Sequence, residues 1–363
     1  MTSKALFREA FLVFLAVLVL VIIAAVAAGI VPFVADFLYA IVALVFVKAA
    51  QRMMDHHNHE NERFGITWSG WPRGLAYGLL LTFITVPFFS VGYYWWETQA
   101  LDRHFEFNTG NYFQWPSELA GEPTGWGAES SGVWVWSDKS TLNVGIRNKS
   151  DANNIVFVEA DTAFSPQRRG TLKAFPVDGV AGKAKIWRIE LDDSRSRGQI
   201  IIRGPRSIDI RIEPTVEGNA IWPLFQGHKA EKKDEFTANR SLWWIPLWIA
   251  TQFLLIALPE EYFYRGWLQT RLEEAFEKRA EEHGRKVRTI FGFSAAIVVA
   301  SVLFGLGHLL VPIGGALVPT RMSVFFPALL FGWLRRRTDS IVAPVVYHAF
   351  SNLMVIFAAV HFY

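Results

Sequence analysis

The chain has no cysteine among its 363 residues. Disulfides, thiolate metal sites and a cysteine nucleophile are therefore excluded, and the redox compartment stays open. Internal repeats and low-complexity tracts are missing too. Charge is sparse: Asp, Glu, Lys and Arg make up 19% of the residues and the formal net charge is +3. So mild a positive balance, with no nucleic-acid-binding motif beside it, argues against nucleic acid as a partner. Basic loops beside membrane spans account for it better.

What the chain has in excess is apolar surface. It is 52% hydrophobic and 15% aromatic, with a mean hydropathy of +0.22, too apolar for an ordinary soluble protein. Windows long enough to cross ~30 Å of hydrocarbon fall near 10–31, 34–49, 75–96, 242–268, 290–310, 320–334 and 341–360. The sixth is short and holds Pro327, which predicts a tilted or broken span. The N-terminus resembles a signal peptide in its basic start and Ala-rich end. Its apolar core from Ala10 to Val31 is longer than a usual signal core, and a second apolar run follows at once. A retained first span is expected.

Positive charge then assigns sides. Lys4 and Arg8 precede span one, and Lys48, Arg52, Arg63 and Arg73 lie between spans two and three. A third cluster from Arg271 to Arg288 lies between four and five, and the arginines at 335–337 follow six. All fall on one side if the N-terminus is cytoplasmic. The expectation is an α-helical multipass membrane protein of about seven spans, with residues 97–240 and the C-terminus outside and a bacterial inner membrane as its location.

Residues 97–240 read differently. "GVWVWSD", "TLNVGIRN", "NIVFVEA", "AKIWRIEL", "GQIIIRG" and "SIDIRIEP" are short β-branched or aromatic runs, punctuated by Gly, Asn, Asp and Pro. They predict an inserted extracytoplasmic β-rich domain, sandwich-like or barrel-like. Three regions follow: 1–96 with three spans, 97–240 with the β-rich domain, and 241–363 with about four spans. The domain holds no cluster of His, Asp and Glu, so binding or gating suits it better than chemistry. The stretch 271–288 reads as a solvated helix with i,i+4 opposite charges. His56, His57 and His59 share a short polar loop and read as incidental rather than as metal ligands.

Three polar clusters stand inside or beside the apolar runs, where charge is costly and marks function by default. In "LPEEYFYRG", Glu261 and Arg265 are four apart and share a helical face, whereas Glu260 projects about 100° away. The pair satisfies two buried charges and leaves Glu260 uncommitted. "FGLGH" places Phe304 four residues before His308, and "YHAFSNL" places His348 four before Asn352. Each is weak alone: a span that has ended, an interfacial histidine, or polar glue between helices would explain it.

Together, in this order, EExxxRG, FxxxH and HxxxN resemble the CPBP family of intramembrane proteases, which includes the Ras-converting CAAX endopeptidases and bacteriocin-processing proteins. The resemblance covers about residues 240–363 and implies a helical membrane core with a water-filled cavity and peptide-bond hydrolysis. The residues of other intramembrane proteases are missing: there is no HExxH, no GxGD and no GxSG.

A carboxylate in a membrane cavity can serve as general base near neutrality. Glu260 is the candidate, with His308 holding the attacking water. His348 and Asn352 suit the tetrahedral oxyanion, as the resemblance also implies, and Glu261, Arg265 and Phe304 support them. No cofactor is expected on this reading. The competing arrangement puts zinc on Glu260, His308 and His348. One tension stands: Glu260 and His308 meet only if helix four continues to about Leu272 and the spans are tilted or staggered. Expected partners are the lipid bilayer and a membrane-anchored or exported protein, processed as in C-terminal protein sorting. A non-catalytic binding or immunity protein on the same scaffold is the alternative, and a transporter with buried pathway charges is a third.

Overall fold

The structure is a computed structural model that describes residues 1–57, 61–67, 70–107, 109–115, 126–128, 133–138, 141–147, 153–180, 183–191, 197–215, 234–312 and 316–362. Its chain forms two compact units: residues 1–96 with 246–356, and residues 97–245 with 357–363.

The first unit is helical. Helix α1 (Ser3–Ala28) starts at Thr2, whose side chain accepts from the Ala5 amide at 3.3 Å. It buries Leu6, Ala10, Phe14, Val17 and Val21, while Leu12, Leu15, Leu20 and Ile23 stay exposed. A helix apolar on every side is a membrane helix. After α2 (Pro32–Asp36) and α3 (Leu38–His56) comes α4 (Trp71–Trp95), with Phe83, Phe88 and Val91 facing outward. Among the described residues, three helical stretches are long and apolar enough to cross a membrane: Ser3–Ala28, Trp71–Ala100 and Val342–Ala359. Ala295–Leu310 is apolar but shorter. These helices and the separate β-rich region are those of a membrane protein with an inserted domain.

The stretch that opens at Trp244 is not a plain α-helix. It runs as α5 (Trp244–Thr251), a wide π stretch (Gln252–Ala257), α6 (Leu258–Glu261), a second π stretch (Tyr262–Gln269) and α7 (Thr270–Glu282). The residues at the joins all keep right-handed helical backbone angles, so the helix passes through the charges without a break. Its far end is pinned to α1. The backbone amide and hydroxyl of Ser3 both donate to Glu282, and Arg271 donates to Glu9 at 2.9 Å.

Three more helices complete the unit. A two-residue-strand hairpin, Thr289–Ile290 with Phe293–Ser294, leads into α8 (Ala295–Leu310), where the Ser294 hydroxyl accepts from the Ile297 amide at 3.3 Å. The sixth window opens as a tight 3-10 turn, Pro319–Val324, and continues as α9 (Phe325–Thr338). Pro327 therefore sits in a first helical turn, where its missing N–H breaks no helical hydrogen bond. Helix α10 (Val342–Ala359) packs on α4 through Gly74 and Gly78. A Cβ on Gly78 would lie 2.8 Å from the Ala343 carbonyl oxygen, so only glycine allows this approach.

The second unit is a β-sandwich. Its strands are β1 (Trp126–Ala128), β2 (Val133–Asp138), β3 (Thr141–Arg147), β4 (Asn153–Ala160), β5 (Gln167–Gly170), β6 (Leu172–Pro176), β7 (Ile186–Leu191), β8 (Arg197–Ile202), β9 (Ser207–Thr215) and β10 (Asp234–Asn239). Two five-stranded antiparallel sheets result, in the orders β1-β2-β3-β8-β5 and β10-β9-β4-β7-β6. Alternate residues of both sheets, among them Val133, Val144, Ile200, Val156, Ile189 and Ile210, form one buried core. The last residues of the chain join this unit: Phe362 bridges Phe105, and the Glu106 amide donates to the His361 carbonyl at 2.9 Å.

Candidate active site

Glu260 and Glu261 leave α6 in different directions and meet different partners. Glu261 is fully buried; Arg265 donates through Nε to its Oε2 at 3.2 Å. Its other oxygen, Oε1, lies 2.9 Å from Nδ1 of His348, a bond that spacing along one helix could not reveal. One carboxylate thus holds both an arginine on its own helix and a histidine from α10.

The remaining nitrogens of Arg265, Nη1 and Nη2, have no hydrogen-bond acceptor among the described residues. The guanidinium instead lies over aromatic faces, with its carbon 5.3 Å from the Phe304 ring centre and 5.8 Å from that of Phe331. Phe331 also stacks on the His348 ring, centres 4.7 Å apart and planes at 16°. Phe304 approaches that ring edge-on at 5.8 Å and lies 4.5 Å from His308. Phe304 of the FxxxH motif is therefore a wall shared by both histidines and the arginine.

Glu260 faces the two histidines. Its Oε2 is 4.0 Å from Nε2 of His308 and 3.9 Å from Nε2 of His348, and it has no hydrogen-bond partner among the described residues. Both histidines turn their other nitrogen to an acceptor: Nδ1 of His308 lies 3.0 Å from the Phe304 carbonyl oxygen, and Nδ1 of His348 faces Glu261. Carbonyl and carboxylate oxygens accept only, so each Nδ1 carries the hydrogen. Neutral rings then present bare Nε2 atoms toward Glu260; a protonated ring presents an Nε2–H. The extended helix brings Glu260 and His308 together despite their positions near opposite ends of the expected spans.

Asn352 is placed otherwise. Its Nδ2 donates to Oε1 of the buried Gln252 at 3.0 Å, so one amide hydrogen is already used and the second remains. Gln252 escaped the sequence reading because a neutral amide in an apolar run has no charge to betray it. Arg321, in the turn before α9, stands at the edge of the sixth apolar window, where a single charge marks nothing by itself. It donates to the Val311 carbonyl at 3.0 Å, three residues past His308, and its charge reaches both Glu260 and His308. Tyr264 fits closely too: a Cβ on Gly307 would lie 2.6 Å from its hydroxyl.

The donor set also bears on a metal. One carboxylate oxygen and two neutral imidazole Nε2 atoms are zinc ligands by type, and the Glu261–His348 bond is the outer support such ligands carry. The spacing is less apt. Tetrahedral zinc with bonds near 2.1 Å holds neighbouring ligand atoms about 3.4 Å apart, against the 3.9 and 4.0 Å found. Among the described residues no group of three is gathered for a metal ion. His57 meets Glu9 of α1 at 3.1 Å, and His59 lies outside the described residues.

Residues 242–354 match the family model described as type II CAAX prenyl endopeptidase Rce1-like. The matched segment runs from the start of the long helix past Asn352 and contains all three motifs. Comparison with curated proteins and with solved structures gives no match.

Proposed function

We propose that this chain is an intramembrane endopeptidase in which Glu260 acts as general base. The observation that carries the reading is the buried Glu260 Oε2, held about 4 Å from two histidine Nε2 atoms. That gap is too long for a direct hydrogen bond and suits a shared water. Such a water gives one hydrogen to Glu260 and the other to the bare Nε2 of His308, which leaves an oxygen lone pair for the scissile carbonyl carbon. As the water oxygen attacks, its proton moves to Glu260 and the carbonyl becomes a tetrahedral oxyanion. Glu260 then returns the proton to the leaving amine nitrogen as the C–N bond breaks.

The oxyanion needs donors. Protonated His348 supplies Nε2–H, and its charge is offset by Glu261. Asn352 supplies its second amide hydrogen. Removal of one such donor typically costs ~10²–10³ in rate. The substrate class follows from the setting: a membrane-anchored or exported protein, cut close to the bilayer, with a C-terminal anchor as the favoured segment. The basic clusters support about seven spans with a cytoplasmic N-terminus and the sandwich outside, in a bacterial inner membrane. The sandwich then admits or selects substrate rather than hydrolysing it.

A second reading has its own support, in the two Nδ1–H bonds that free both Nε2 atoms. Glu260, His308 and His348 would hold zinc, which when bound supplies Lewis acidity toward the carbonyl oxygen or water.

One experiment separates these from a non-catalytic scaffold. Membrane-protein termini are compared between cells carrying the wild type and cells carrying Glu260→Gln, and purified enzyme is assayed after chelation with its metal content measured. New C-termini only with the wild type, and activity indifferent to chelation, are expected. Loss on chelation with rescue by zinc replaces the glutamate reading by the metal one. Identical termini in both strains overturn the protease assignment.

A further inference from the structure

In the β-sandwich a groove of about 330 Å³ opens on the outer face of the first sheet. Val133 and Val135 of β2 point into the core, so the alternation of a strand turns Trp134 and Trp136 outward. Solvent-facing sides of antiparallel sheets are ordinarily polar. Two half-buried indoles there are a departure.

The register extends this face across four strands. Trp134 pairs with Gly145, Gly145 with Gln199, and Gln199 with Arg169, a row about 14 Å long at ~4.8 Å per strand. Gly145 leaves the floor bare beside the indoles; a Cβ there would lie 2.9 Å from the Trp136 ring. Gly170 and Gly198 also line the groove; Gly198 pairs with the buried Ile146, so a side chain there would strike Leu172 in the core. The far wall is cationic. Arg169 and Arg197 are exposed, and the described ion pairs on the strands use other arginines, Arg188 with Glu190 and Arg211 with Glu159. Amide groups stand between the walls: Gln199 Nε2 donates to Asn143 Oδ1 at 2.8 Å.

We propose that this groove binds an acidic saccharide, a short chain of sugar rings bearing carboxylates. The apolar C–H face of a sugar ring matches an indole, its hydroxyls match the amide of Gln199, and its carboxylate matches the arginines through charge-assisted bonds. A peptide suits the place less well. The floor crosses the strands instead of following an edge, so it offers no ladder of backbone donors and acceptors for an added strand.

The test uses full-length protein in detergent, titrated calorimetrically with oligogalacturonate, with maltooligosaccharide as a neutral control and polyglutamate as an acidic peptide. Saturable binding of oligogalacturonate alone, weakened as salt rises, is expected. Trp136→Ala should weaken it at least tenfold. Arg169→Glu, at an exposed position that does not threaten folding, should do so as well. Absence of binding, equal binding of the neutral sugar, displacement by polyglutamate, or unchanged affinity in folded Arg169→Glu would each overturn the assignment.

Discussion

Nδ1 of His348 lies 2.9 Å from Oε1 of Glu261, so the second glutamate of the pair, and not the first, sets the angle of this ring. Glu261→Gln should therefore do two things. It leaves the buried Arg265 without its counter-charge, which typically costs 3–5 kcal/mol, and it leaves one acceptor oxygen where Arg265 Nε and His348 Nδ1 need two. Thermal unfolding in detergent should show a marked loss of stability, with cleavage lost in the protein that remains folded. Glu260→Gln is the contrast: wild-type unfolding and cleavage down at least ~10³-fold. Matching melting curves for the two variants would refute this division of labour.

Gln252 and Asn352 should act as one unit, because the amide bond between them is what points Asn352. Gln252→Leu is expected to lower kcat about tenfold and leave KM and membrane accumulation unchanged. Asn352→Ala should cost more, ~10²-fold or above. Rates of the double variant decide the matter. Its loss should match that of Asn352→Ala alone; fully additive losses would mean the two residues work independently.

Arg321 offers the site a further positive charge, one that reaches Glu260 and His308. Arg321→Met should slow cleavage about tenfold, and Arg321→Lys should recover most of the rate because charge rather than fork geometry is at stake. A Met variant as fast as the wild type would show that the cation only closes the end of α8.

Acid should loosen the C-terminal tether in the β unit. His361 is buried beside Tyr112, whose hydroxyl is 2.9 Å from its Nε2, and burial pushes the imidazole below its usual pKa while a bond to the Glu106 backbone partly opposes this. The folded form thus binds its proton less readily than the unfolded chain. Stability is complete above the ordinary histidine range and declines as pH falls through ~6.5. Hydrogen-exchange protection factors across 105–112 and 357–362, taken relative to the intrinsic rate at each pH, should fall between pH 7.5 and 5 in the wild type, but not in His361→Leu. Protection factors indifferent to pH in the wild type would contradict the account.

Much of this architecture is legible in the sequence where physics leaves a contrast. Glu260, Glu261, Arg265, His308 and His348 stand out because charge among Leu, Ile and Phe has few bland explanations. All six apolar or alternating runs quoted above are strands, since β-branched residues facing a core repeat every second position. Other features leave no such contrast. Strand β5, "QRRG", is exposed throughout and, among the described strands, pairs with β8 alone. Gly74 and Gly78 look like any glycines in an apolar helix until α10 lies against them. The Glu261–His348 bond joins positions 87 apart, beyond the reach of any local pattern.

The wide turns in the long helix have a consequence for how its side chains are aimed. Each π turn takes up one residue more than an α turn. In an unbroken α-helix, Gln252 and Glu260 would point about 80° apart. The extra residue held in Gln252–Ala257 swings them back toward one side. Gln252 can then meet Asn352 while Glu260 meets His348, two partners themselves one turn apart on α10. The backbone here works like a vernier, sliding one scale against another until two marks coincide. No substitution changes that count. Deletion of a single residue from the wide turn would, freeing the amide pair while every residue from Glu260 onward kept its bearing.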